Sequence, residues 1–207
     1  MITSYLELAV GSVLTTFVKR AADPMQTIFT RRAVFERLEP KFAITSQDLG
    51  ESGATLPIDY VRDGEGQFPH LTWERSELPV KTKQLLMIIE DPDAPLPTPV
   101  VHGLFLEISA DTTSLSPSCI RAPHPFTPGK TLRGPVYIPP APLLNTGVHN
   151  YVFQLIALSE PIELKEGKAA TREEVEAAIE GKVAGYGIWV GRCSRTWKGG
   201  VILNQDL

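Results

Sequence analysis

The chain has 207 residues, 43% of them hydrophobic, which is enough for one globular domain that buries roughly 70% of its unfolded surface without disulfides. A formal charge of −4 with scattered lysines and arginines offers no basic field for a phosphate backbone, so nucleic acid is excluded as a partner, and no run approaches the ~20 apolar residues that cross a bilayer, so no transmembrane segment is expected. The two cysteines, Cys119 and Cys193, lie far apart without CxxC spacing, which suits a reducing compartment and a cytoplasmic location.

Residues 1–40 read as a helical extension. MITSYLELAVGSVLTTFVKR has no basic residue ahead of its apolar part and carries Glu7 inside it, a pattern of an amphipathic helix rather than a signal peptide. Asp23 as N-cap, Pro24 at the first helical position, and Ile28, Val34, Phe35 and Leu38 at near-helical spacing predict a second helix. From Ala54 the character changes: ATLPIDYV, LTWER, QLLMIIE, VHGLFLEIS and HNYVFQLIAL are short β-prone runs divided by Gly, Pro, Asp and Ser, and they place a β core at residues 54–158. LLMII and YVFQLIAL are too continuously apolar for strands with one wet face, so they predict central strands covered on both sides. The aperiodic, proline-rich stretch from Ser114 to Pro142 reads as a structured loop that walls a site. Thr171 and Glu174 then form a capping box, Val175, Ala178 and Ile179 a stripe, and Gly181 a stop, predicting a peripheral helix over 171–181. Helices at both ends of a β middle, without βα alternation, define a single mainly β domain with peripheral helices.

Two aspartates stand at the end of the first central strand, in IIEDPDAPLP from Ile88 to Pro97. Pro92 and Pro95 fix φ around Asp91 and Asp93, and each carboxylate either shapes the turn by accepting backbone N–H groups or stands at the rim of a pocket. His102 starts the next strand and His149 starts another. Antiparallel pairing would bring Asp91 and both histidines to one end of the sheet. Such a trio could bind a metal as a facial triad, but nothing in the spacing is specific, and neither metal nor cofactor is expected. No G-x-S-x-G supplies a serine nucleophile. Cys193, in GRCSR, is either a thiolate favoured by its arginines or a packed, inert thiol. Imidazoles beside open backbone suit an anion such as phosphate or carboxylate.

DPDAP at Asp91 to Pro95, His102 and GVHNY at Gly147 to Tyr151 resemble the phosphatidylethanolamine-binding protein (PEBP) family, whose members carry DPDxP and GxHR motifs. YIPPAP from Tyr137 matches the position of that family's Y-x-G-x-x-P segment, and KVAGYG is similar to its late VAG turn. The resemblance implies a Greek-key β-sandwich with peripheral helices and a small anion pocket at one end. In relatives that pocket takes phosphate or a phospholipid headgroup, and the proteins act as lipid binders, kinase or protease inhibitors, or scaffolds. Carried over by residue, Asp91, His102, His149 and Tyr151 would line the pocket, Asp93, Ala94 and Pro95 would shape its rim, and Tyr137 and Pro142 would lie in the facing loop. This sequence also departs from the family. Pro139 stands where glycine is usual, and with Pro140 it supplies no N–H to an anion. Asn150 replaces an arginine, and Leu143 and Leu144 add apolar surface, which together predict a greasier, less cationic cleft.

The resemblance implies a binder of an anionic small molecule or phospholipid headgroup that regulates or scaffolds a protein partner. An alternative comes from fungal proteins similar to this family in pathways that dimerise and cyclise anhydride or dicarboxylate units into maleidrides. There His102 or His149 would remove a proton alpha to a carbonyl, oriented by Asp91. A third is protease inhibition, with residues 1–20 inserted into a partner.

Overall fold

The structure, a computed structural model, describes residues 22–164, 167–198 and 201–204, together with the helical positions Glu7, Ala9 and Val13. The strands in chain order are β1 (Thr45–Ser46), β2 (Ala54–Thr55), β3 (Leu71–Thr72), β4 (Gln84–Asp91), β5 (Val100–Ser109), β6 (Ser114–Leu115), β7 (Thr127–Pro128), β8 (Val148–Leu158), β9 (Val183–Lys198) and β10 (Val201–Asn204). A main sheet runs β10-β9-β8-β4-β5-β7, with β2 added in parallel to β9, and a smaller sheet runs β1-β3-β6.

The apolar run in β4 forms a strand because both of its faces find a core. Leu85, Met87 and Ile89 point to one cluster with Phe105, Phe153 and Trp189, closed by Phe68, Leu71, Trp73 and Leu115. Leu86 and Ile88 point to the other with Leu104, Ile156 and Tyr186, closed by Phe29, Phe35, Val175 and Ile179. Each such Leu or Ile contributes about 1.5–3 kcal/mol by leaving water. The two-sided coverage expected of LLMII and YVFQLIAL follows from these two layers. The helix Arg172–Ala178 begins at the capping box, with Thr171 Oγ1 accepting from Glu174 N and the Glu174 side chain accepting from Thr171 N.

The structure differs from the sequence reading in three places. Residues 24–38 form three 3₁₀ turns, Pro24–Thr27, Phe29–Arg31 and Ala33–Phe35, and not an α-helix. Ile28 and Arg32 are extended between them. The cause is tertiary: Phe29 N donates to Glu90 Oε2 at 2.6 Å and Thr30 N to Gln154 Oε1 at 2.8 Å, so these N–H groups serve the sheet instead of a helical ladder. The helix expected over the first 20 residues lies outside the described residues except at Glu7, Ala9 and Val13. ATLPIDYV is a strand only at Ala54–Thr55, because Pro57 ends it and Ile58–Tyr60 turns. Third, the sheet continues past residue 158 through β9, which pairs along the whole of β8 from Val148↔Ser194 to Leu158↔Val183. Glycines disguised this strand as a turn. At Gly187 a Cβ would lie 2.6 Å from Phe42 O, so the glycine is where the covering layer presses onto the sheet.

Candidate functional site

Antiparallel pairing of β4 with both β5 and β8 brings the end of β4 beside the starts of the other two. Asp91, His102 and His149 therefore share one end of the sheet, and all three line a cavity of about 200 Å³. Ala94, Pro95 and Pro142 of the expected set line it too. Asp93, Tyr137 and Tyr151 are not among its lining residues.

Asp91 holds the corner and the histidine at once. Its Oδ1 accepts from Asp93 N at 2.9 Å and Ala94 N at 3.0 Å, and its Oδ2 accepts from His149 Nδ1 at 2.8 Å. Asp93 faces the other way: its Oδ2 accepts from the backbone N and the Nδ2 of Asn150, each at 2.8 Å. Asn150 thus supplies a neutral tie between the DPDAP corner and β8.

The two histidines are held differently. His149 is wholly buried, with Nδ1 on Asp91 and Nε2 2.9 Å from Thr146 Oγ1, so both ring nitrogens are taken. His102 is clamped by one residue: its Nδ1–H donates to Ile138 O at 2.8 Å while Ile138 N donates to His102 O at 2.8 Å. A carbonyl can only accept, so the proton is on Nδ1, and Nε2 carries no hydrogen bond to the described residues. Burial lowers the pKa of His102 below its ordinary value, with the Asp91 carboxylate pulling the other way. At neutral pH the ring is the neutral tautomer with a lone pair on Nε2.

The remaining expected residues support this frame. Tyr151 stands edge-on to His102 with ring centroids 5.0 Å apart, and its hydroxyl accepts from Ala141 N at 3.1 Å. Tyr137 is packed edge-on against Phe68, and burial raises its phenol pKa. Cys193 sits opposite His149 in β9, 1% exposed, and burial pushes its thiol up to about 12, so it is the inert alternative of the two read from the sequence.

The wall is apolar: Leu96, Val100, Leu132, Ile138 and Leu143 line it with the prolines. Two residues that the sequence did not single out complete it, Arg62 and Arg133. They give the cleft two cationic side chains beside its apolar wall. Both lie in loops without motif or period, and only the topology brings them to the histidines. A larger cavity of about 350 Å³ lies between the Arg172–Ala178 helix and Glu163–Leu164, away from this cluster, so volume does not mark the chemistry.

Residues 46–194 match the family model described as phosphatidylethanolamine-binding protein. The chain is 36% identical over 208 residues to Phomoidride biosynthesis cluster protein B of a fungus (Fungal sp.), covering 95% of this chain and 97% of that one. It is 35% identical over 170 residues to the protein of the same name from Talaromyces stipitatus, covering 76% and 69%. Among solved structures, a PEBP homologue from Chlamydia trachomatis is 24% identical with a TM-score of 0.63 over 74% of this chain and 97% of its own. Escherichia coli YbcL is 21% identical with a TM-score of 0.65 over 73% and 97%. These two structures share the fold; the family model and the fungal relatives carry the kinship, and the chain belongs to the phosphatidylethanolamine-binding protein family.

Proposed function

We propose that this protein works in fungal natural-product biosynthesis, binding an apolar carbonyl compound in the cavity and removing a proton alpha to the carbonyl with His102. The observation that carries the reading is the unoccupied Nε2 of a buried, neutral imidazole whose other nitrogen is fixed on Ile138 O. Such a group is a base and not an anion donor. Beside His102 the cavity holds the Asp91 carboxylate and Pro95, Pro139 and Pro142, which have no N–H to offer, so the histidine end disfavours a phosphate or phospholipid headgroup. His149, with both nitrogens engaged, serves as the strut between Asp91 and Thr146. The fungal relatives named for phomoidride biosynthesis support the pathway assignment.

In the step, the substrate C–H bond breaks, its proton goes to Nε2, and its electron pair enters an enolate. His102 becomes an imidazolium that keeps its Nδ1–H on Ile138 O. An alkyl-substituted maleate or its anhydride, the unit of a maleidride, carries the vinylogous counterpart of such a proton on the carbon attached to the double bond, gamma to the conjugated carbonyl, and the electron pair left by its removal enters a dienolate.

The test is deuterium exchange of that proton in D₂O, followed by NMR. Wild-type protein accelerates exchange, and His102→Ala lowers the rate by about 10²–10⁴-fold while the ligand still raises thermal stability. Ligand binding without accelerated exchange by the wild type removes the catalytic step and leaves a binding protein.

A further inference from the structure

The positive charge of the cavity comes from two loop arginines, Arg62 and Arg133. Leu132 and Arg133 form the tip of a tight turn between β7 and β8, and both line the cavity. The tip is fixed from below by Thr131, whose buried hydroxyl donates to Pro135 O at 2.7 Å and accepts from Gly134 N at 3.2 Å. Gly134, at φ +95°, makes the turn where a side chain would be strained. The turn therefore presents one apolar and one cationic side chain at a set position on the cavity edge.

The two guanidinium groups of the cavity are not equivalent. Arg62 already faces a carboxylate, Glu7 Oε1, at 3.4 Å. Glu7 in turn is 2.6 Å from Arg195 Nη1, and Arg195 also grips Asp63 through Nε and Nη2, so Arg62 belongs to a network that braces the wall at Pro142. Arg133 has no ion pair or hydrogen bond with the described residues. Its charge nonetheless reaches His102, where it opposes protonation of the ring. A guanidinium at that place is matched by an anionic group on a ligand whose body contacts Leu96, Leu132 and Leu143.

We propose that Arg133 is the specificity-determining residue of the cavity and reads a carboxylate, so that the protein takes carboxylic acids with an apolar body and discriminates against their neutral esters. The proposal rests on the reading of this cavity as the ligand site beside His102 and names the acid it accepts. A carboxylate seated on Arg133 leaves the adjoining carbon chain on the apolar wall, and as His102 removes a proton the guanidinium balances the negative charge that develops. Arg62 keeps its place in the Glu7 network and shapes the wall.

Calorimetric titration with hexanoate, methyl hexanoate and hexyl phosphate tests the assignment, with the His102 ring proton followed by NMR in parallel. Wild type is expected to bind hexanoate at least about tenfold more tightly than the methyl ester, the discrimination of a charge-assisted pair. That preference shrinks as salt is raised, because Arg133 is exposed. In Arg133→Gln the acid and the ester bind within about twofold of each other, and Arg133→Lys restores part of the difference. If both ligands shift the His102 resonance but R133Q keeps the full preference, Arg133 is not the reader and the cavity still stands. If neither ligand shifts His102 at saturation, the cavity reading itself fails. Hexyl phosphate binding more tightly than hexanoate, and losing that advantage in R133Q, would overturn the choice of carboxylate in favour of phosphate.

Discussion

Arg172→Met tests how the far face of the sheet holds the site in place. Arg172 is 5% exposed and Glu90 is fully buried, and Arg172 Nε approaches Glu90 Oε1 at 2.6 Å without the alignment of a hydrogen bond. Arg172 Nη2 also donates to Thr27 O at 2.9 Å, and the guanidinium lies over the Phe29 ring at 5.8 Å. Removing one partner of a buried pair costs about 3–5 kcal/mol. Here Glu90 keeps Phe29 N at 2.6 Å and Gln154 Nε2 at 2.8 Å, so the lower end is expected, about 3 kcal/mol, or a urea midpoint lower by roughly 1–2 M. The loss depends on pH. Burial raises the pKa of the Glu90 carboxyl, against the pull of Arg172 and the hydrogen bonds. A native value above the unfolded one means that the native state binds more protons, so this group favours the fold most below its unfolded value of about 4.3, and stability falls as pH rises through the raised native value. Without Arg172 that window extends upward, and R172M is expected to lose more stability at pH 8 than at pH 5. Adding Glu90→Gln removes the stranded charge and regains about 2 kcal/mol of the loss at pH 8. A loss under 1 kcal/mol in R172M, or a double variant no better than the single one, would refute the reasoning.

Burial places the His102 titration below the ordinary imidazole value of about 6.5, so an NMR titration of its ring proton should show a midpoint under that figure, and a midpoint at or above it contradicts the neutral base. The sign for stability follows: the unfolded chain binds the proton more readily, so the contribution of neutral His102 is complete above about 6.5 and is lost as pH falls through the lowered native value, a share of acid sensitivity that His102→Gln removes from urea curves. Cys193, at about 12 and buried, should resist iodoacetamide at pH 8 while the half-buried Cys119 reacts, giving one labelled thiol in the native protein and two in urea by mass spectrometry. Asn150→Ala removes one of the two donors on Asp93 Oδ2 and should cost about 1 kcal/mol in chemical denaturation, with the His102 midpoint unchanged; a moved midpoint would mean that the DPDAP corner needs this amide to hold the site.

The parts of the fold that were legible are those in which a strand carries its own reason to be buried. β4 and β8 stand out by their long apolar stretches, LLMII and YVFQLIAL, β5 by the β-prone VHGLFLEIS, and the DPDAP corner and the two strand-starting histidines locate their shared end. β9 was hidden because the glycines that let Phe42 and Leu56 approach the sheet read as turns, and because its polar residues, such as Arg195, are satisfied only by partners distant in sequence. The 3₁₀ segment carries a helical pattern in its sequence, because its partners Glu90 and Gln154 lie 61 and 124 residues away and no local pattern announces them. Arg62 and Arg133 escaped for the same reason: a loop residue gains its role from where the chain carries it.

Glu90 and Asp91 are neighbours on one strand and so point to opposite faces. Glu90 turns to Phe29, Gln154 and Arg172 and ties the N-terminal turns and the peripheral helix to the sheet. Asp91 turns to His149 and to the backbone of the corner. One face fixes where β4 ends, and the other uses that end to set a histidine and the cavity rim. Variants of the two residues should therefore separate: Glu90 with Arg172 changes stability while leaving the His102 environment intact in whatever fraction is folded, whereas Asp91→Asn puts an amide opposite the His149 Nδ1 proton and shifts the His102 resonance in fully folded protein. An unshifted His102 in D91N would mean that the Asp91 carboxylate does not act on His102 and that the two histidines are set independently of each other.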